Sequence, residues 1–177
     1  MKTLHFSQEI IAPADIVWET MLDDATYREW TSAFSPGSYF EGSWLQGSEI
    51  RFLGDSDDDD GTDSGSDGGS DGDGMGGLVG VIAEHRPHEF VSIEYTGLIL
   101  NGDVDTESDY AKKFIGTHEN YTFSESRGVT TLTIDLDVDE EEADMFAEMW
   151  PKGLDRLTEL AEAEAATHGR HAAGQPD

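Results

Sequence analysis

The stretch DEEEADMFAEMWPKGLDRLTELAEAEAA, Asp139 to Ala166, reads as one long amphipathic helix. Phe146, Met149, Trp150, Gly153, Leu157, Leu160 and Ala161 recur at steps of three and four. At about 100° per residue they form a single apolar stripe. Asp139 is suited to cap the start, with Glu142 three residues on and Glu140 and Glu141 near the positive end of the helix dipole. Gly169 is the expected stop. Pro151 removes an internal hydrogen bond and predicts a kink, while Gly153 permits close approach within the stripe. A stripe of this length needs a broad apolar partner.

The residues upstream supply one. Phe114–Ser124 and Val129–Val138 alternate in polarity and predict a hairpin turning at Glu125-Ser126-Arg127-Gly128. Glu119, Tyr121 and Phe123 share one face of the first strand. Leu132, Ile134 and Leu136 share one face of the second, with Thr131, Thr133, Asp135 and Asp137 opposite. Such alternation suits an antiparallel sheet with one covered face. Glu89–Leu100 is β-rich and reads as two short strands about Gly97. His85-Arg86-Pro87-His88 is a turn, and Asn101–Asp109 a polar loop. Ser48–Leu53 and Leu78–Glu84 are strands, with the Asp/Gly/Ser tract Asp55–Gly74 as their connection. Ser38–Gly47 is a turn-rich lead. Leu4–Ile11 is a first strand with Leu4, Phe6 and Ile10 on one side. Two short helices follow it, one from Ala12-Pro13-Ala14-Asp15 and one from Asp23-Asp24, ended by Pro36-Gly37. The expected class is α+β, a curved antiparallel sheet over the C-terminal helix with two short helices closing one end.

Composition narrows the function classes. The 177 residues carry 39 acids against 10 bases, a net charge of −29. That surface argues against nucleic-acid partners and against anionic membranes. Nine aspartates fall in Asp55–Gly74, yet the excess extends beyond them. It reads as adaptation to a salt-rich cytoplasm, the alternative being an ordinary acidic protein made extreme by one loop. There is no cysteine, hence no disulfide or thiolate chemistry. The N-terminus lacks an apolar signal core and no run matches a membrane span, so a cytoplasmic location is expected. Residues 1–167 are expected to form one domain, with 55–74 a disordered acidic insertion and 168–177 a flexible tail.

The element order, together with several local stretches, resembles the START/Bet v 1-like (SRPBCC) helix-grip superfamily. The branch it is most similar to is related to the C-terminal domain of the Hsp90 ATPase activator. The stretches are Ile11-Ala12-Pro13-Ala14-Asp15-Ile16-Val17-Trp18, Tyr27-Arg28-Glu29-Trp30, Pro36-Gly37-Ser38-Tyr39-Phe40-Glu41-Gly42-Ser43-Trp44 and Gly47-Ser48-Glu49-Ile50-Arg51-Phe52. Val81-Ile82-Ala83-Glu84, Glu119-Asn120-Tyr121-Thr122 and Trp150-Pro151 with Gly153-Leu154 complete them. Asp55–Gly74 departs from the pattern, being longer and more acidic than the expected turn. The resemblance implies a sheet gripping the C-terminal helix around a cavity for apolar molecules. It carries no catalytic motif.

The expected ligand-binding residues are Trp30, Tyr39, Arg51, Glu119, Tyr121, Met149 and Trp150, each weighed against an ordinary core or surface role. Trp18, Tyr27, Phe40, Trp44 and Phe146 belong to the same aromatic set. Glu119 has the inward parity of Tyr121. Buried, it needs a partner, for which Arg51 is the candidate, and its pKa rises. Alternatively it lies near the sheet's end and reaches water. The histidines lack metal-site spacing, and the acidic tract fails the EF-hand pattern, with Ser56 and Asp67 in ligand positions. No metal or cofactor is expected. The leading expectation is a small hydrophobic ligand between sheet and helix, entering near the two short helices. A co-chaperone-like domain with a protein partner and a cyclase- or hydrolase-type enzyme are the alternatives.

Overall fold

The computed structural model describes residues 1–33, 37–55, 75–100 and 102–173. The acidic tract beyond Asp55 and the Pro36 stop lie outside them. The chain starts with β1 (Lys2–Ile10), whose Leu4, Phe6 and Ile10 turn inward as their parity requires. Pro13 stands before α1 (Ala14–Leu22), its fixed φ suiting a helix entry. Asp23 ends α1 and caps α2 (Asp24–Thr31), accepting from the Ala25 N–H. Then come β2 (Tyr39–Gly42), β3 (Glu49–Asp55), β4 (Met75–Arg86) and β5 (Phe90–Leu100). β6 (Asp103–Asp105), α3 (Asp109–Lys112), β7 (His118–Ser126), β8 (Val129–Val138) and α4 (Ala143–Ala173) follow.

The strands form one antiparallel sheet in the order β1-β8-β7-β5-β4-β3-β2, with β6 beside β5. β3 and β4 are hairpin partners, Asp55 facing Met75, so the acidic tract does connect two neighbouring strands. The β7–β8 turn is tighter than its four-residue signal. Ser126 pairs with Val129, and Arg127 and Gly128 both take positive φ, the two-residue connection that matches strand twist. α4 lies against β1, α1 and α2. Trp150, Leu154, Leu157 and Ala161 are its buried stripe, joined by the buried Gly153.

Several expectations are corrected. The helix begins at Ala143. Asp139 instead holds a separate turn, its carboxylate accepting from the Glu141 N–H and its carbonyl from the Glu142 N–H. It ends at Ala173, past Gly169, because one glycine costs about 1 kcal/mol in a helix and the surrounding alanines offset it. Pro151 sits within it on the exposed face, as does Ala147, so water satisfies the carbonyl that proline leaves free. The turn-rich lead contains β2, and the polar loop contains β6 and ends where α3 begins. β5 is one strand rather than two, because the irregularities fall in its pairing with β4, at Val79/Gly80 and Ile82/Glu84. β7 starts at His118, after a tight turn at Phe114–Thr117.

Candidate functional site

β7 alternates strictly at its start, and Glu119, Tyr121 and Phe123 all point into the core. Glu119 is only 6% exposed. Its companion comes from β5, where Tyr95 bonds the backbone beside β7 through its N–H to the Thr117 carbonyl. The Tyr95 and Tyr121 hydroxyls both donate to Glu119 Oε2, at 2.8 and 2.7 Å. Among the described residues none donates to Oε1. Burial raises the Glu119 pKa, against the lowering effect of the two tyrosine hydrogen bonds. Burial also pushes the Tyr95 and Tyr121 hydroxyls well up, and the charge of Glu119 adds to it. Tyr27, from α2, is raised for the same two reasons. The phenols therefore remain protonated donors.

Six aromatic rings, Tyr121 of this group among them, form a closed circuit. Tyr27 meets Phe40 at 5.0 Å, Phe40 meets Trp44 at 5.4 Å, and Trp44 meets Tyr121 at 6.4 Å between centroids. Tyr121 meets Trp150 at 6.1 Å, Trp150 meets Trp30 at 6.0 Å, and Trp30 returns to Tyr27 at 5.4 Å. Phe52 lies against Tyr27, Trp44 and Tyr95. Four separate parts of the chain thus contribute: α2, the β2–β3 segment, β7 and α4. The Trp30 Nε1–H is used by the Met21 carbonyl, which locks α2 onto α1. The Trp44 Nε1–H is buried and has no hydrogen-bond partner among the described residues.

Trp44 also lines a surface cleft of about 580 Å³ with Trp18, Leu22, Thr26, His85 and Glu164. Its carbonyl accepts from His85 Nδ1 at 2.7 Å; since a carbonyl cannot donate, that nitrogen carries the proton. The Trp44 indole thus stands between the cleft at α1–α2 and the Glu119 group.

The structure brings Trp30, Glu119, Tyr121 and Trp150 together and leaves Met149 half-buried on α4. It separates the other two. Arg51 points to the opposite face of β3 and pairs with Glu49 at 3.0 Å, so it is not the partner of Glu119. Alternation along β3 puts Arg51 out wherever Ile50 and Phe52 are in. Tyr39 packs with Leu53, Val79 and Ile99 on that same outer face, under the Arg28 guanidinium. Sequence reasoning leaves Glu94 and Tyr95 open as candidates beside Glu119, because the strand register there is not fixed by the residues; β5 as a single strand turns Tyr95 inward and Glu94 outward. His85 and His88 flank the Trp18 ring edge to face.

The architecture is the helix-grip α+β fold. No protein-family model and no curated protein matches the chain. Solved structures do. Protein MLL2253 from Mesorhizobium loti is 14% identical with a TM-score of 0.60, over 92% of this chain and 98% of that one. The Aha1 dimer from Colwellia psychrerythraea is 14% identical with a TM-score of 0.58, over 92% and 97%. DynU16, a protein of the dynemicin biosynthetic locus, is 15% identical with a TM-score of 0.61, over 93% of this chain and 49% of that chain. At these identities the likeness is one of fold. Among the described residues no helix is long and apolar enough to cross a membrane.

Proposed function

We propose that the chain binds a small, largely apolar molecule between the curved sheet and α4, anchored at Glu119. The observation that carries this reading is a buried carboxyl held by two tyrosine hydroxyls, one oxygen without a donor among the described residues, with one of those tyrosines part of a circuit of aromatic rings. A fold needs no such group for stability, since burying a carboxyl costs more than an apolar replacement. An apolar enclosure with a few convergent polar groups is the usual form of a small-molecule site. The cleft beside Trp44 is the entrance, at the end where α1 and α2 close the grip. Sharing a fold with a protein of a biosynthetic locus is in keeping with this reading.

The test is an amide and indole NMR titration in high KCl with lipids, aromatic polyketides and sterols. Shifts clustered on Trp30, Trp44, Tyr121 and Trp150 are expected. Their absence in a well-folded protein overturns the binding reading.

A second reading is a co-chaperone-like interaction domain, in line with the likeness to Aha1. The exposed apolar side chains Leu100, Val104, Tyr110 and Ile115, all between the end of β5 and the start of β7, favour it. Shifts confined to that stretch on adding an Hsp90-type chaperone would support it. Catalysis of the cyclase or hydrolase kind would fall on Glu119 as acid–base group, and Glu119→Gln would then abolish turnover.

A further inference from the structure

The polar groups of the interior define which ligand chemistry it accepts, given the binding reading above on which this inference rests. Among the described residues the buried polar or charged side chains are Thr20, Thr31, Ser92, Thr117, Glu119 and Thr130. The four threonines each donate to a backbone carbonyl and are thereby used. No lysine, arginine or histidine stands among them. Arg51, which would have balanced Glu119, is on the outer face with Glu49. Ser92 pairs with Asn120, one register position from Glu119, and so lies on the opposite face of the sheet. Among the described residues, what remains for an occupant is Glu119 Oε1 and the Trp44 indole N–H.

We infer that the interior selects neutral ligands carrying a hydroxyl or carbonyl oxygen, phenols and ketones on a flat apolar body, and rejects carboxylates and phosphates. The argument is one of charge. With a neutral occupant the site holds at most the single negative charge of Glu119, and none when that carboxyl is protonated. A ligand hydroxyl donates to Oε1 of the ionised form, and a ligand carbonyl accepts from the protonated form. Either way the oxygen finds a partner. A carboxylate ligand adds a negative charge that no buried cation cancels, beside a carboxyl that competes for the same donors. Aromatic rings around the anchor favour a planar body, since offset and edge-to-face contacts are open to it. Fatty-acid anions, the simplest apolar ligands with a polar end, are therefore excluded.

The experiment compares 2-naphthol with 2-naphthoate, the same ring system with a neutral and an anionic oxygen group. Binding is measured by tryptophan fluorescence near neutral pH. Molar KCl screens the acidic surface, so that discrimination reports the interior. We expect 2-naphthol to bind the native chain at least about tenfold more tightly than 2-naphthoate. In Glu119→Gln, which removes the charge and keeps the size, the ratio should shrink severalfold. Indole shifts at Trp44 and Trp150 with 2-naphthol place the probe. If 2-naphthoate binds as tightly as 2-naphthol or more so, the inference falls while the binding reading stands. An unchanged ratio in Glu119→Gln also overturns it, because selectivity would then arise elsewhere. If neither probe binds, the binding reading fails and the inference fails with it.

Discussion

At the scale of single residues, Glu119 is the most informative side chain. Its inward parity was legible from Tyr121 and Phe123, but its partners were not. They sit on β5 and β7, and only the pairing of those strands brings Tyr95 within 2.8 Å. The chain resolves the cost of a buried carboxyl with hydroxyl donors instead of a salt bridge. The consequence for stability has a definite sign. Because the folded pKa of Glu119 is raised, the native state holds its proton more firmly than the unfolded chain. That contribution is fully present below the unfolded value, about 4.3, and is lost as pH rises through the folded value. Glu119→Gln should therefore melt above the native protein at pH 8, and the gap should close as pH falls toward 4. Thermal melts of both proteins across that range check it. A native protein that melts above the variant at pH 8 would show that the ionised carboxyl is held more tightly than its burial implies.

At the scale of elements, β4 carries the tightest geometric demand. A Cβ at Gly77 would run into the backbone carbonyl of Phe52 on the neighbouring strand. Gly77→Ala should therefore destabilise the β3–β4 pairing by about 1–3 kcal/mol, a range typical of overpacking. Gly76 offers the control. Its added Cβ would meet only the Ile99 carbonyl at 3.6 Å, an ordinary contact. Urea denaturation of the two variants should separate them clearly, and equal midpoints would refute the steric argument. The same strand shows why helix and strand limits were harder to read than their existence. Its two register shifts come from contacts with β5, which sequence alternation does not record. β2 and β6 escaped notice because four and three residues are too few to display a period.

At the scale of the whole molecule, charge is the dominant property. Most of the acids stand on the surface, and several ion pairs there are exposed, such as Arg28 with Asp24 and Arg156 with Glu159. Exposed pairs of this kind contribute little, about 0–1 kcal/mol each. They do not offset self-repulsion from a net charge of −29. The screening length falls from about 10 Å at 0.1 M salt to about 3 Å at 1 M. The melting temperature should therefore climb steeply between about 0.1 and 3 M KCl. A flat profile over that range would refute adaptation to salt and leave the composition as a property of one acidic tract.

The helix grip itself followed from the sequence alone. A long apolar stripe can be buried only against a broad sheet, and alternating strands supply one whose covered face is fixed by parity. The inward set Trp30, Tyr121 and Trp150 came from the same periodicities. The tertiary structure decided which inward residues meet. A period assigns a face to each side chain, but not the strand that lies beside it. Tyr95, Trp44 and Tyr27 therefore joined Glu119 only through the folded arrangement, and Arg51 and Tyr39 were removed from the site because β2 and β3 turn them to the outer face.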